Sequence, residues 1–157
     1  LAEKPIFLTK EGKAKLEAEL ASLVNEKRPQ IADQIRHAKE AGDISENAAF
    51  EDAKHQQALL EGRIQEIEYM LKHAQMIDEG KHAASEGVQM GCKVTVLDSE
   101  GHEERFFLVG SAEARPADGR ISNESPLGKA LLGHRIGDAV EVATPSGKRT
   151  FTVKAIE

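Results

Sequence analysis

Two periodicities divide the chain. In the first, apolar side chains fall at Leu16, Leu20, Leu23, Val24, Ile31, Ile35 and Ala38. The spacings are mostly three, four or seven, which places them on one face of a helix. Thr9, just after Phe7 and Leu8, suits the N-cap. Pro29 removes a backbone donor and predicts a local bend, with Arg28 before it pushed away from helical angles. Ala41-Gly42-Asp43-Ile44-Ser45 then breaks the pattern. Gly42 can take positive φ and end the helix, and Asp43 or Ser45 can cap the next one. The second run, Phe50, Ala53, Gln57, Leu60, Ile64, Ile67, Leu71 and Ala74, is a heptad seam with one polar member, Gln57. Two such helices joined by a short loop run antiparallel. Each arm covers about 30 residues, so at 1.5 Å per residue the hairpin extends roughly 45 Å.

From about Ser85 the period becomes two. Val88–Met90, Lys93–Leu97, Arg105–Val109, Ala139–Ala143 and Arg149–Ile156 read as strands, with glycines and Pro145-Ser146-Gly147 as turns. Ser125-Pro126 through Gly133 reads as a short helix with Ser at the cap, Pro at the first position and Gly after the end. The predicted fold is α+β. Residues 1–79 form an antiparallel coiled-coil hairpin with its tip near 41–47. Residues 80–157 form a small antiparallel sheet with one short helix.

Composition narrows the function. Hydrophobic residues are 39% and charged residues 31%, values of a soluble, folded chain. The net charge is −6, with the acid excess in the first 80 residues. Such a chain does not hold nucleic acid through a bulk phosphate-neutralising surface. The single cysteine, Cys92, excludes an internal disulfide and reads as a small strand residue. It fits a reducing cytoplasm. No apolar run approaches the roughly 20 residues that span a membrane, and Leu1-Ala2-Glu3-Lys4 does not have the pattern of a signal peptide. The six histidines have no metal-ligand spacing and read as solvated. Lys27, Arg28, Arg36, Lys39, Lys54 and Arg63 are either ordinary exposed charge on the arms or a small basic strip.

The candidate chemistry lies at the tip. Asp43 and Glu46 are three residues apart and can share one face of a helical turn. Their oxygens suit Mg²⁺, whose six ligands two carboxylates cannot supply alone. Phosphate oxygens and a partner's acids would complete the set, as two-metal phosphoryl chemistry requires. The same spacing is close to a capping box, and local spacing leaves both readings open.

The wider pattern goes further. Ala38-Lys39-Glu40-Ala41-Gly42-Asp43-Ile44-Ser45-Glu46-Asn47-Ala48-Ala49-Phe50 resembles the tip of the Gre transcription elongation factors. Their pattern runs small–basic–acidic, then Gly-Asp-Leu-Ser-Glu-Asn-Ala-Glu-Tyr. Arg28-Pro29, Ala53-Lys54-His55-Gln56-Gln57, Glu61-Gly62-Arg63-Ile64, Ala74-Gln75-Met76-Ile77-Asp78, the Ser125–Gly133 segment and Thr144-Pro145-Ser146-Gly147 match in order along the chain. The net negative charge points to the GreA type rather than the more basic GreB type. Departures are Ile44 for Leu, Ala49 for Glu, Phe50 for Tyr and His55 for an acid. Loss of the tyrosine hydroxyl removes a hydrogen bond at position 50 but leaves an aromatic that can stack on a base.

The resemblance implies a monomeric cytoplasmic factor that acts on RNA polymerase through its secondary channel. Asp43 and Glu46 would assist the polymerase's own Mg²⁺-dependent cleavage of backtracked RNA, sharing that Mg²⁺ and binding none stably alone. Ile44, Ser45, Asn47 and Phe50 would lie near the RNA 3′ end. The C-terminal half would be FKBP-like, with Ser125 and Pro126 in a docking loop on the channel rim. Three other readings are a channel-binding antagonist of cleavage, an active prolyl isomerase and a plain coiled-coil adaptor.

Overall fold

A computed structural model of the chain describes residues 4–42, 47–78 and 86–157. Its contacts divide into two compact units, one comprising Leu1–Gly12 and Ala74–Glu157 and the other Lys13–His73. The sequence placed a boundary near 79–80. By contacts, the first 12 residues and the segment from Ala74 onward go with the sheet instead.

The helical unit is the hairpin that the seam predicts. Its first arm is α1 (Lys10–Ser22), a π-helical turn (Leu23–Lys27) and α2 (Arg28–Glu40); its second is α3 (Ala48–His73). Every predicted seam residue on both arms is buried or half-buried. Ile31, Leu60 and Ile64 form the buried centre, with Leu20, Leu23, Val24 and Ile35 packed around them. Thr9 caps α1 as expected: its Oγ1 accepts from the Gly12 N–H at 3.0 Å. The carboxylate of Glu113 accepts from the Thr9 N–H at 2.8 Å and also takes the Thr9 hydroxyl.

Pro29 acts differently from expectation. Arg28 keeps helical angles, φ −59° and ψ −49°, and its N–H reaches back five residues to the Leu23 carbonyl. The irregularity lies in the turn before the proline. A widened π turn makes room for the ring against the preceding carbonyls, so Arg28 need not leave the helical region.

The other unit holds two sheets. β1 (Ile6–Leu8) and β2 (Ala74–Met76) pair in parallel, with Phe7 opposite Gln75. Ala74, read from sequence as the last seam position, is therefore strand. A parallel pair needs a long crossover, and the out-and-back hairpin is that crossover. The larger sheet comprises β3 (Lys93–Leu97), β4 (Glu103–Val109), β5 (Arg120–Ser122), β6 (Ala139–Thr144) and β7 (Gly147–Ile156), in the order β5-β4-β3-β7-β6. It is mixed, not wholly antiparallel as predicted, because β5 runs parallel to β4. The connection through Gly110–Gly119 returns the chain to the same end of β4 before β5 begins. The run Val88–Met90 is not a strand. A turn at Gly91, with φ +86°, interrupts it ahead of β3.

Alternation along the strands builds the core. Val94, Val96, Val140, Val142, Phe151 and Val153 point inward beneath Leu131 of α4 (Pro126–Leu131). Cys92 is fully buried there, and burial pushes its thiol pKa up. It was read as a small strand residue; it is buried as such a residue would be but lies just ahead of β3. Among the described residues no helix is long and apolar enough to cross a membrane.

Ile64 is 2% exposed at the centre of the hairpin seam. Ile64→Ala should destabilise the helical unit by about 2–5 kcal/mol. Urea unfolding followed by far-ultraviolet circular dichroism checks this; a loss under about 0.5 kcal/mol would show that the seam carries little of the hairpin's stability.

Candidate functional site at the hairpin turn

The first arm ends as the sequence predicts. Ala41 closes α2 with its N–H on the His37 carbonyl, and Gly42 follows at φ +147°, a conformation open to glycine. Asp43, Ile44, Ser45 and Glu46 lie outside the described residues, so the expectations for these four stay with the sequence. The chain is described again from Asn47.

Asn47 ties the start of α3 to the end of α2. Its Oδ1 accepts from the Phe50 N–H at 3.1 Å, and its carbonyl accepts from the Glu51 N–H at 3.1 Å. Its Nδ2 donates to the Ala38 carbonyl on the first arm at 2.6 Å. Helix ends leave unsatisfied N–H and C=O groups. One amide side chain here serves an orphan donor of α3 and an orphan acceptor of α2. The cap of α3 is therefore Asn47, where the sequence offered Asp43 or Ser45. Asparagine at a helix start was a readable signal, masked by two other cap formers just upstream.

Below the turn the arms are close. Ala38 and Ala53 are 6% and 3% exposed. Side chains this small let the backbones approach, and the smallness of the tip was readable in the sequence. Phe50 is half-buried at the start of α3.

Further down, two forked ion pairs cross between the arms. Arg28 Nε and Nη2 meet Glu61 Oε1 and Oε2 at 2.8 and 2.9 Å. Arg63 Nε and Nη2 meet Glu19 Oε1 and Oε2 at 3.1 and 2.7 Å. As the partner on the first arm moves back from Ala38 to Arg28 to Glu19, the partner on the second moves forward from Asn47 to Glu61 to Arg63. That is the antiparallel register read directly. Arg36 pairs with Asp33, and Lys54 donates to Gln57. Arg28, Arg36, Lys54 and Arg63 are thus engaged within the hairpin, as ordinary charge on the arms would be. The bond to Arg28 holds the Glu61 carboxyl below the usual glutamate range, and the same bond raises Arg28.

In the sheet unit, Ser125 caps α4. Its Oγ accepts from the Gly128 N–H at 3.1 Å and donates to the Ser122 carbonyl at 2.7 Å. Pro126 takes the first helical position and is exposed. The aromatics are already occupied. Phe151 is 2% exposed and meets Phe106 edge to face, and the Lys93 and Arg120 cations lie over Phe107. Among the described residues no group of three or more His, Cys, Asp or Glu side chains is placed to hold a metal ion.

Residues 6–76 match the family described as transcription elongation factor, N-terminal, and residues 83–157 match transcription elongation factor, GreA/GreB, C-term. The chain is 53% identical to transcription elongation factor GreA of Chloroflexus aggregans, over 98% of each chain. It is 51% identical to that of Roseiflexus castenholzii, over 100% of each. A crystal structure of GreA factor homolog 1 (Gfh1) of Thermus thermophilus is 33% identical, covers 98% of this chain and 99% of its own, and superposes with a TM-score of 0.45. The chain belongs to the GreA/GreB family of transcription elongation factors.

The Arg28–Glu61 pair predicts a pH dependence. A carboxyl whose folded pKa is depressed contributes stability that is present above its unfolded pKa, about 4.3, and lost as pH falls through the folded value. Glu61→Gln should therefore melt below the native chain at neutral pH, and the gap should close as pH drops under the normal glutamate range. Thermal melts from pH 7 downward, followed by circular dichroism, measure it; a gap that persists in acid would show that the pair does not act through charge.

Proposed function

We propose that this protein binds RNA polymerase through its secondary channel and stimulates the polymerase's own cleavage of backtracked nascent RNA. Asp43 and Glu46 are the residues that carry the effect. They occupy the connection between the two arms in a chain that matches the elongation-factor family over residues 6–76 and 83–157. The observation that favours a chemical role is the cap. The Phe50 N–H in the first turn of α3 takes its acceptor from Asn47, so an asparagine, not a carboxylate, caps that amide.

The division of labour follows from ligand number. A Mg²⁺ ion takes six oxygens, and it would supply charge stabilisation and an activated water where polymerase acids and RNA phosphate complete the set. The part of Asp43 and Glu46 is to add negative oxygens beside that site and to orient the attacking water. Ile44, Ser45 and Phe50 face the extruded 3′ end, Phe50 through stacking. Ser125 and Pro126 dock the sheet unit on the channel rim. The chain then acts as a monomeric cytoplasmic assistant to another enzyme's nuclease, with no catalytic cycle of its own. The prolyl isomerase alternative finds no support in the aromatics, which are packed in the core or covered by cations.

Asp43→Asn combined with Glu46→Gln should abolish stimulated cleavage in a stalled polymerase complex while binding to polymerase survives. Charge is lost with little change in side-chain size, so the thermal melt should match the native chain. Gel analysis of the RNA and a competition binding assay read the two halves of the expectation. Undiminished cleavage by the double variant would sink the proposal and favour a plain adaptor.

A further inference from the structure

We propose that Asn47 is a positioning residue: its side chain fastens the end of the second arm to the first and so sets the span across which Asp43 and Glu46 are presented. This rests on the reading that the acidic pair assists cleavage.

The argument begins with what a short connection needs. Between Gly42 and Asn47 stand four residues, and where a connection of that length begins and ends is set by the residues that flank it. Gly42 supplies little restraint, because glycine tolerates more backbone conformations than any other residue and even an added methyl would meet nothing within 4 Å. The other end is held twice by one side chain. Asn47 Nδ2 donates to the Ala38 carbonyl at 2.6 Å, and Oδ1 accepts from the Phe50 N–H at 3.1 Å. The bond to Ala38 crosses from one arm to the other.

The chemistry selects asparagine. The task needs an acceptor for α3 and a donor for the carbonyl of α2, on a short side chain. Aspartate caps equally well but is acceptor-only when ionised; serine caps but cannot reach across. Turning the amide over would set oxygen against the Ala38 carbonyl and NH₂ against the Phe50 N–H, so the assignment is fixed by the partners themselves. Both polar groups are engaged within the hairpin. Asn47 thus acts through the fastening, in addition to the RNA-proximal place that the resemblance implies for it.

The test separates fastening from capping. Asn47→Ser and Asn47→Asp both keep a good cap, and both lose the donor to Ala38. The serine variant adds no charge, so agreement between the two excludes an electrostatic effect on the acidic pair. In a stalled polymerase–RNA complex at saturating factor, both should lower the maximal cleavage rate about tenfold or more, since misplacing a reacting group by about 1 Å costs up to 10²-fold. The factor concentration giving half-maximal cleavage should move less than about twofold, and exchange protection of the Phe50 amide should persist. A maximal rate equal to the native chain's would overturn the positioning role. So would a raised half-maximal concentration at an unchanged maximal rate, which marks docking, or an effect confined to the aspartate variant, which marks charge. The Asp43→Asn, Glu46→Gln variant runs alongside. If it is inactive while the Asn47 variants keep full rate, positioning fails and the functional reading stands. If it cleaves at the native rate, the functional reading fails instead.

Discussion

The hairpin depends on the meeting of two apolar stripes. Each arm has one greasy face, and within this unit each face has one place to go, against the other arm. Ile31, Leu60 and Ile64 are buried by that pairing. Slippage along the seam would trade one set of Leu and Ile contacts for a similar set, so the hydrophobic effect, being non-directional, does not fix register by itself. The directional contacts do. The forks from Arg28 to Glu61 and from Arg63 to Glu19 each match two donors to two acceptors in one plane, a geometry that tolerates little displacement. Asn47 on Ala38 adds a third fixed point where the arms are thinnest.

Register then determines what the turn can do. A connection of a few residues takes its geometry from its ends, and here the ends are α2 closing on Ala41 and α3 opening at Asn47. The π turn ahead of Pro29 belongs to the same problem. By sending the Arg28 N–H to Leu23, the first arm accommodates a proline without breaking, and Ile31, Ile35 and Ala38 continue the stripe beyond it. An outright kink would have separated those residues from their partners on α3.

Much of this was legible in the chain, and what was not has identifiable causes. The two arms, Thr9 as a cap, Gly42 as a terminator and the α4 cap at Ser125 all leave local, periodic or compositional signals. Four of the strands were visible for the same reason: valines alternate in β3 and β6, Phe151 and Val153 do so in β7, and β4 ends in the apolar run Phe106-Phe107-Leu108-Val109. Ile6–Leu8, Ala74–Met76 and Arg120–Ser122 are three residues each, too short to show a period. Their pairing is decided by partners far away in sequence. The parallel direction of β5 follows from a connection whose path no local pattern encodes. Asn47 was missed in its fastening role because half of that role belongs to a backbone carbonyl nine residues away, and a carbonyl has no letter in the sequence. The functional reading of Asp43 and Glu46 rests on resemblance, since their spacing alone also describes a capping box.

The charge arrangement bears on why such a hairpin would work through a partner. Arg28 and Arg63 are each committed to a glutamate on the opposite arm, and the chain as a whole carries −6. Cations already matched to carboxylates have little counterion to release to a phosphate backbone, and counterion release is the main source of non-specific affinity for nucleic acid. Arg28 and Arg63 thus serve the hairpin's own register. Carboxylates at the turn of such an acidic rod would repel RNA and hold a divalent ion poorly alone. Placed beside a metal already held by another protein's acids and an RNA phosphate, the same carboxylates would add to a ligand set they cannot fill alone. An acidic hairpin of fixed register therefore suits chemistry supplied from outside, and its own folding and its proposed task place compatible demands on charge.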